Sequence, residues 1–246
     1  MEPLYQKNFH IPASAVDRFD RLKMSHVLDY IQEVSGDHSA LLGTDRQLLT
    51  EHHLFWAVIR HRVQVTRLPR AGEDITVETW PMPTTRTAYP RATVALDGNG
   101  NELFKAISLW VLMDTENRTM VLPKKSGIVV DGMLQGNELA APGSLIPREM
   151  AQVQRRTVRF TDLDWNGHMN NCRYLDWAAD ILPGSFHREH GVKEFTVCYL
   201  SEAREGETVT LGWELSEAGA LHIDAHRENG EVSTGHSRVF AAQILF

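Results

Sequence analysis

Cysteine is scarce: Cys172 and Cys198 are the only two in 246 residues. Two thiols cannot build a disulfide framework, and they form no CxxC or Cys/His zinc spacing, so both read as reduced thiols. Apolar runs are short, and none approaches the roughly 20 residues that cross a bilayer. Residues 1–16 lack a signal-peptide pattern and an Arg/Ser-rich leader, so the expected location is the cytosol and no membrane insertion is expected. A surplus of positive charge is also missing. There are 25 basic and 32 acidic residues, a net charge of −7, which argues against general nucleic-acid binding. Local basic groups remain: Arg60, Arg62, Arg67 and Arg70, then Lys124 and Lys125, then Arg155, Arg156 and Arg159. Each alone reads as a solvated face, and together they permit an acidic partner. Hydrophobic residues at 42% suffice for an ordinary buried core.

The first half opens with a strand-like stretch at residues 5–11. A helical pattern follows, with Val27, Ile31, Val34 and Leu41 on one face and Ser25 as the expected N-cap. Period-two patterns come next: Val63 and Val65, Ile75 and Val77, Val94 and Leu96, then Ile107, Leu109 and Val111. Asp97-Gly98-Asn99-Gly100 provides a hairpin turn between the last two.

The second half runs in the same order. A strand is expected over residues 153–160, then a helix from about Asn171 carrying Leu175, Ala178, Ala179 and Leu182. Strands follow with Val197 and Tyr199, with Val209, Leu211 and Trp213, with Leu221 and Ile223, and near Val239. Three echoes keep this order. Leu28-Asp29-Tyr30 matches Leu175-Asp176-Trp177, Ala71-Gly72-Glu73 to Val77 matches Glu205-Gly206-Glu207 to Leu211, and Asn99-Gly100 matches Asn229-Gly230. The chain therefore reads as two tandem repeats, residues 1–122 and 148–246, joined by a Gly/Pro-rich linker at 123–147. A helix followed by a strand meander buries its apolar stripe on one sheet face, which gives an α+β fold. Two such units pairing their sheets edge to edge would form a double hotdog, each repeat with one long helix wrapped by an antiparallel sheet.

The densest polar cluster runs from Asp162 to Asn171, between a strand and a helix. Asp and Asn collect in such loops because they turn and cap well, and that reading suits Asn170 and Asn171. The duplication supplies a control. Aligning Leu175 with Leu28 puts Asp164 on Asp17, Asn166 on Phe19 and His168 on Arg21, while the second echo puts Glu202 on Leu68. Turn chemistry alone would be wanted in both halves. The asymmetry therefore marks Asn166, His168 and Glu202 as functional candidates, says less about Asp164, and implies one active site per chain.

The segment Asp164-x-Asn166-x-His168-x-Asn170-Asn171 and the later Tyr199-Leu200-Ser201-Glu202 resemble the two active-site blocks of the acyl-acyl-carrier-protein thioesterases. Further likeness lies in Arg67-Leu68-Pro69-Arg70-Ala71-Gly72-Glu73, in Val77-Glu78-Thr79-Trp80-Pro81 and in Trp110-Val111-Leu112-Met113-Asp114. It covers nearly the whole chain and, with no transit leader seen, is closest to the bacterial branch. The resemblance implies hydrolysis of fatty acyl thioesters on acyl carrier protein, without metal or organic cofactor, by Asp164, Asn166, His168 and Glu202. Some relatives carry a cysteine directly after the active-site glutamate; Ala203 stands there in this chain, so a cysteine nucleophile at that position is excluded. General-base attack by water remains. Glu202 is the favoured base and His168 the alternative, Asn166 holds water or thioester, Asp164 orients its neighbours, and backbone N–H groups at the start of the following helix face the thioester oxygen.

Cys172 reads as a packing residue rather than a nucleophile, and Cys198 as structural. His52, His53, His222 and His226 show no metal-ligand spacing. The first half, having lost the site, is free to line an acyl pocket, with Val27, Ile31, Val34 and Trp56 as candidates that serve equally as plain core. Rival readings are an acyl-CoA thioesterase and a catalytically silent acyl-binding protein. A duplicated chain already contains the pair of units that a single-repeat protein makes by dimerising, so the sequence is compatible with a monomer and with a homodimer.

Overall fold

In the first half the strands at Tyr89–Asp97 and Glu102–Asp114 are buried almost continuously, whereas the strand at Tyr5–His10 alternates half-buried and exposed residues. The computed structural model describes residues 3–130, 132, 136–148, 150–228 and 237–246; the expected turn at Asn229-Gly230 lies outside them. Two units are formed, Met1–Pro142 and Gly143–Phe246. The first contains β1 (Tyr5–His10), α1 (Met24–Leu41), α2 (Arg46–Glu51), β2 (Leu54–Val65), β3 (Asp74–Pro81), β4 (Tyr89–Asp97), β5 (Glu102–Asp114), β6 (Met120–Val121) and α3 (Pro123–Ser126). Its sheet runs β1-β3-β4-β5-β2, antiparallel throughout, with β6 pairing β5.

The helix α1 packs on β3. Val27, Ile31 and Val34 are fully buried beneath it, each contributing roughly 1.5–3 kcal/mol by leaving water. Leu41, the last helical residue, is 66% exposed instead of continuing the stripe. Ser25 is not the cap: Lys23 takes that place with extended backbone, its carbonyl accepting from the Val27 N–H at 3.0 Å, and Ser25 is buried in the first turn. The helix starts two residues early, and Met24 is already an inward-facing core residue.

The core under α1 is partly polar. Arg91 is buried with its Nη1 2.9 Å from His38 Nδ1 and 3.4 Å from Thr79 Oγ1. His61 Nδ1 lies 2.7 Å from Ser108 Oγ. Trp56 belongs to a distinct cluster with Leu49, Leu54, Tyr89, Leu112 and Ile128, so it does not join Val27, Ile31 and Val34 in the stripe under α1.

On β4, Val94 and Leu96 do not form the inward row that their alternation suggested. Thr93 and Ala95 are buried, whereas Val94 packs in a second cluster with Trp80, Ala92, Ile107, Leu109 and Val111. Strands covered on both faces read as nearly continuous apolar runs, so alternation cannot choose between faces. Residues following α3 help provide that second cover. Leu139 packs on the second cluster, Asn137 Nδ2 donates to the Thr93 and Ala106 carbonyls at 2.9 Å, and Tyr89 Oη donates to the Ile128 carbonyl at 3.2 Å. Gly132 passes so close to Met82 that an added Cβ would stand 2.4 Å from its carbonyl carbon.

The second unit contains β7 (Gln152–Thr157), α4 (Arg173–Ala179), α5 (Gly184–Glu189), β8 (Glu194–Tyr199), β9 (Thr208–Leu215), β10 (Ala220–Arg227) and β11 (Arg238–Leu245), with sheet order β8-β11-β10-β9-β7. It repeats the α+β arrangement of helix and antiparallel meander. The first strand stops at Thr157, and Phe160–Asp162 forms a 3-10 turn in which Asp162 Oδ2 accepts from the Arg159 N–H at 2.8 Å. Its helix is seven residues long against eighteen in α1, and Leu182 lies beyond its end. Pro183 then starts α5, because proline cannot continue a helix whose N–H it lacks. Tyr174 anchors α4 to the sheet, its ring 4.7 Å from that of Phe240 and 5.8 Å from that of Tyr199. Among the described residues no helix is long and apolar enough to cross a membrane.

Candidate active site

The loop between β7 and α4 is shaped by one carboxylate. Asp164 Oδ1 accepts from the backbone N–H of Asn166 at 2.8 Å and of His168 at 3.3 Å, while the Asp164 N–H donates to the His168 carbonyl at 2.8 Å. Asp17 does the same in the first unit, accepting from Phe19 at 2.8 Å and Arg21 at 3.1 Å, with its own N–H on the Arg21 carbonyl at 2.7 Å. Even the left-handed residue recurs, Gly167 at φ 78° and Asp20 at φ 60°. The second echo repeats equally well: Gly72 and Gly206 have φ 81° and 83°, and the Glu73 and Glu207 carboxylates accept from the Arg70 and Arg204 N–H groups at 3.1 and 3.2 Å. Both units thus share the frame, and the side chains mounted on it differ.

Two tethers hold the loops of the second unit together. The Met169 N–H donates to the Ala203 carbonyl at 2.8 Å, and His168 forms a bridge with Arg204. This register brings His168 Nε2 to 3.2 Å from Glu202 Oε2. The imidazole is 18% exposed and the carboxylate 43%, so the histidine is sheltered while the carboxylate is reachable by water. Asn166 is exposed, its Nδ2 donating to Asp164 Oδ2 at 3.2 Å. Of the four expected residues, His168 and Glu202 meet directly, Asp164 and Asn166 meet directly, and Asp164 joins the two pairs through the His168 backbone N–H. Such a pair, a carboxylate against an imidazole beside an oriented amide, can polarise water and take up its proton.

The helix start differs from expectation. The Cys172 N–H donates to Asn170 Oδ1 at 2.8 Å and the Arg173 N–H to the Asn170 carbonyl at 2.9 Å. These two donors are consumed by a local cap, because Asn170 turns the chain just before a short helix, and neither faces outward to a reacting oxygen. Cys172 and Cys198 are both buried, and Cys198 Sγ donates to the Gly143 carbonyl at 3.7 Å. Ala203 is fully buried, so the position next to Glu202 faces the core.

Two neighbours of the site escaped the sequence reading. Arg227, at the end of β10, donates from Nη2 to the Glu202 backbone carbonyl and from Nε to Glu207 Oε2 at 3.0 Å. The Tyr174 phenol is buried and hydrogen-bonded with the Ala203 backbone, and burial holds its pKa well above the usual tyrosine range. A signal for Arg227 did exist. Glu73 and Glu207 are kept in both repeats, yet Arg67, which grips Glu73 at 2.8 and 2.9 Å, aligns with Ser201. A retained carboxylate that has lost its arginine asks for another.

Comparisons with known proteins identify the family and the fold. Residues 2–124 match the acyl-ACP thioesterase N-terminal domain and residues 147–241 the C-terminal domain. A chloroplastic dodecanoyl-acyl-carrier-protein hydrolase of Cinnamomum camphora is 25% identical over 89% of this chain and 62% of its own length. A chloroplastic oleoyl-acyl carrier protein thioesterase of Arabidopsis thaliana is 26% identical over 90% of this chain and 67% of its own. The chain therefore spans about six tenths of the length of these curated relatives. Among solved structures, an acyl-ACP thioesterase from Bacteroides thetaiotaomicron superposes with TM-score 0.87 at 20% identity, covering 99% of this chain and 98% of that one. The 12:0-ACP thioesterase from Umbellularia californica gives TM-score 0.81 at 23% identity, covering 100% and 97%. With both halves matched in order by the two domains of one family and the fold shared along the whole length, the chain belongs to the acyl-ACP thioesterase family.

Proposed function

We propose that this chain hydrolyses fatty acyl thioesters of acyl carrier protein, releasing free fatty acid and the carrier thiol, with Asp164, Asn166, His168 and Glu202 as the working set. The observation that carries the reading is the 3.2 Å contact between His168 and Glu202, mounted on a frame that the first unit shares but fills with Arg21 and Leu68. Glu202 takes a proton from water, the water oxygen attacks the thioester carbonyl, and the carbon–sulfur bond breaks as the sulfur leaves with a proton. His168 binds the reacting centre beside Glu202, Asn166 holds the water or the thioester oxygen, and Asp164 fixes the turn that carries both. No residue next to Glu202 offers a thiol, since Ala203 stands there, and no step requires a metal or organic cofactor. A cytoplasmic location is part of the proposal.

The test is free-acid release from matched acyl-carrier-protein and acyl-CoA thioesters over a series of chain lengths, with Glu202→Gln run alongside. Turnover of carrier-protein substrates is expected, and the variant should lose about 10²–10⁴-fold in kcat, the usual worth of a positioned base. A preference for CoA would keep the chemistry and change the partner. Absence of turnover on either would make the chain an acyl-binding protein, and full activity of Glu202→Gln would remove the base.

A further inference from the structure

We infer that Arg227 is a positioning residue that sets the Glu202 carboxylate in place, acting through the Glu202 backbone; the inference rests on the hydrolytic reading above. Residues 202–204 are held at each peptide in turn. The Arg227 guanidinium donates to the Glu202 carbonyl, the Ala203 carbonyl accepts from Met169, and the Arg204 N–H donates to Glu207, which Arg227 also grips. The arginine side chain is only 15% exposed, and hydrogen bonds from a charged donor are stronger than neutral ones. Its own backbone is fixed by pairing, opposite Val209 on β9 and with its N–H on the Ser237 carbonyl at 2.8 Å.

The first unit shows what the arrangement becomes without a site. There the equivalent carboxylate, Glu73, is held bidentately by Arg67, immediately before Leu68, the counterpart of Glu202. In the second unit Ser201 replaces that arginine and its Oγ donates to the Arg238 carbonyl at 2.8 Å. The cation comes instead from β10, where the first unit has Asp97 at the matching register opposite Ile75. The carboxylate of the turn is thus retained in both repeats. Its cation has moved off the residue adjoining the working glutamate and onto the strand from which it reaches that glutamate's carbonyl. A stability pair alone needed no such move, because Arg67 and Glu73 achieve it locally.

The experiment compares Arg227→Met, Arg227→Lys, Glu202→Gln and the Arg227→Met/Glu202→Gln double variant in the full chain, measuring kcat, KM and Tm for each. Arg227→Met should lower kcat by roughly 10–100-fold, the scale of a group displaced by about 1 Å, with KM within about twofold. Arg227→Lys, which keeps a cation in reach and guards against loss of folding in the methionine variant, should recover part of the rate. The double variant should be no slower than Glu202→Gln, since residues acting as a unit are not additive. Arg227→Met within about twofold of wild-type kcat, beside an inactive Glu202→Gln, would overturn this inference alone. So would a double variant slowed by the same factor again, or rates that track Tm with no recovery by lysine. A fully active Glu202→Gln would overturn the hydrolytic reading itself.

Discussion

Asp17 and Asp164 are the same residue in two settings. Each accepts two backbone N–H groups and so fixes one turn, and each should hold its loop with roughly 0.5–1.5 kcal/mol per hydrogen bond, the net worth of a typical intramolecular bond. Only the second turn carries the side chains proposed for hydrolysis, Asn166 and His168. Asp17→Ala and Asp164→Ala should therefore lower the urea midpoint by similar amounts, while Asp17→Ala keeps kcat and Asp164→Ala loses at least about tenfold because His168 is no longer oriented. Equal kcat for the two variants would take Asp164 out of the site. At this scale the candidate residues were legible because the duplication supplied its own control: Phe19, Arg21 and Leu68 show what the frame carries when no chemistry is asked of it. Arg227 was harder to read, since its partner at the site is a backbone carbonyl, and a carbonyl leaves no mark in a sequence.

The two helices explain why pattern alone overreached on elements. In α1 the buried stripe runs from Met24 to His38 within one helix, whereas in the second unit Leu182 continues the spacing by sequence but falls beyond α4, ahead of the Pro183 break. The β4 strand misled for the opposite reason, being covered on both faces. Buried polar groups were invisible to periodicity altogether, and one of them makes the first unit sensitive to pH. Burial pushes the His61 pKa from the ordinary imidazole value of about 6.5 down to about 3. The folded chain keeps this imidazole neutral over that window, while the unfolded chain takes up a proton near 6.5. The unfolded state then binds more protons, and stability falls as pH drops from about 6.5 toward about 3. Urea midpoints measured between pH 7.5 and about 5 should fall for the wild type and fall less for His61→Gln, whatever the variant costs at neutral pH. Parallel curves would mean that His61 is charged in the folded state or reachable by water.

At the scale of the whole molecule, the order helix then meander, given twice, was readable from three short echoes; one of them now falls on a helix in each unit, eighteen residues in the first and seven in the second, and another on turns of matching geometry. What duplication leaves undecided by itself is how many sites a chain carries. Identical frames with identical side chains would give two. Here the frame is shared, but the positions of Asn166, His168 and Glu202 are filled by Phe19, Arg21 and Leu68, and none of the replacements offers a group that titrates near neutral pH. Arg21 moreover is committed to the turn, its Nε 3.3 Å from Asp17 Oδ2. The expectation is therefore one thioester site per chain. Calorimetric titration with a 2-oxoalkyl pantetheine thioether, in which a methylene separates the carbonyl from sulfur so that no acyl–sulfur bond can be cleaved, should saturate at one equivalent, and Glu202→Gln should keep that stoichiometry because it retains the shape of the site. Two equivalents would show that the first unit recognises the reacting end as well, and would require that the loss of His168 and Glu202 counterparts there removed chemistry without removing binding.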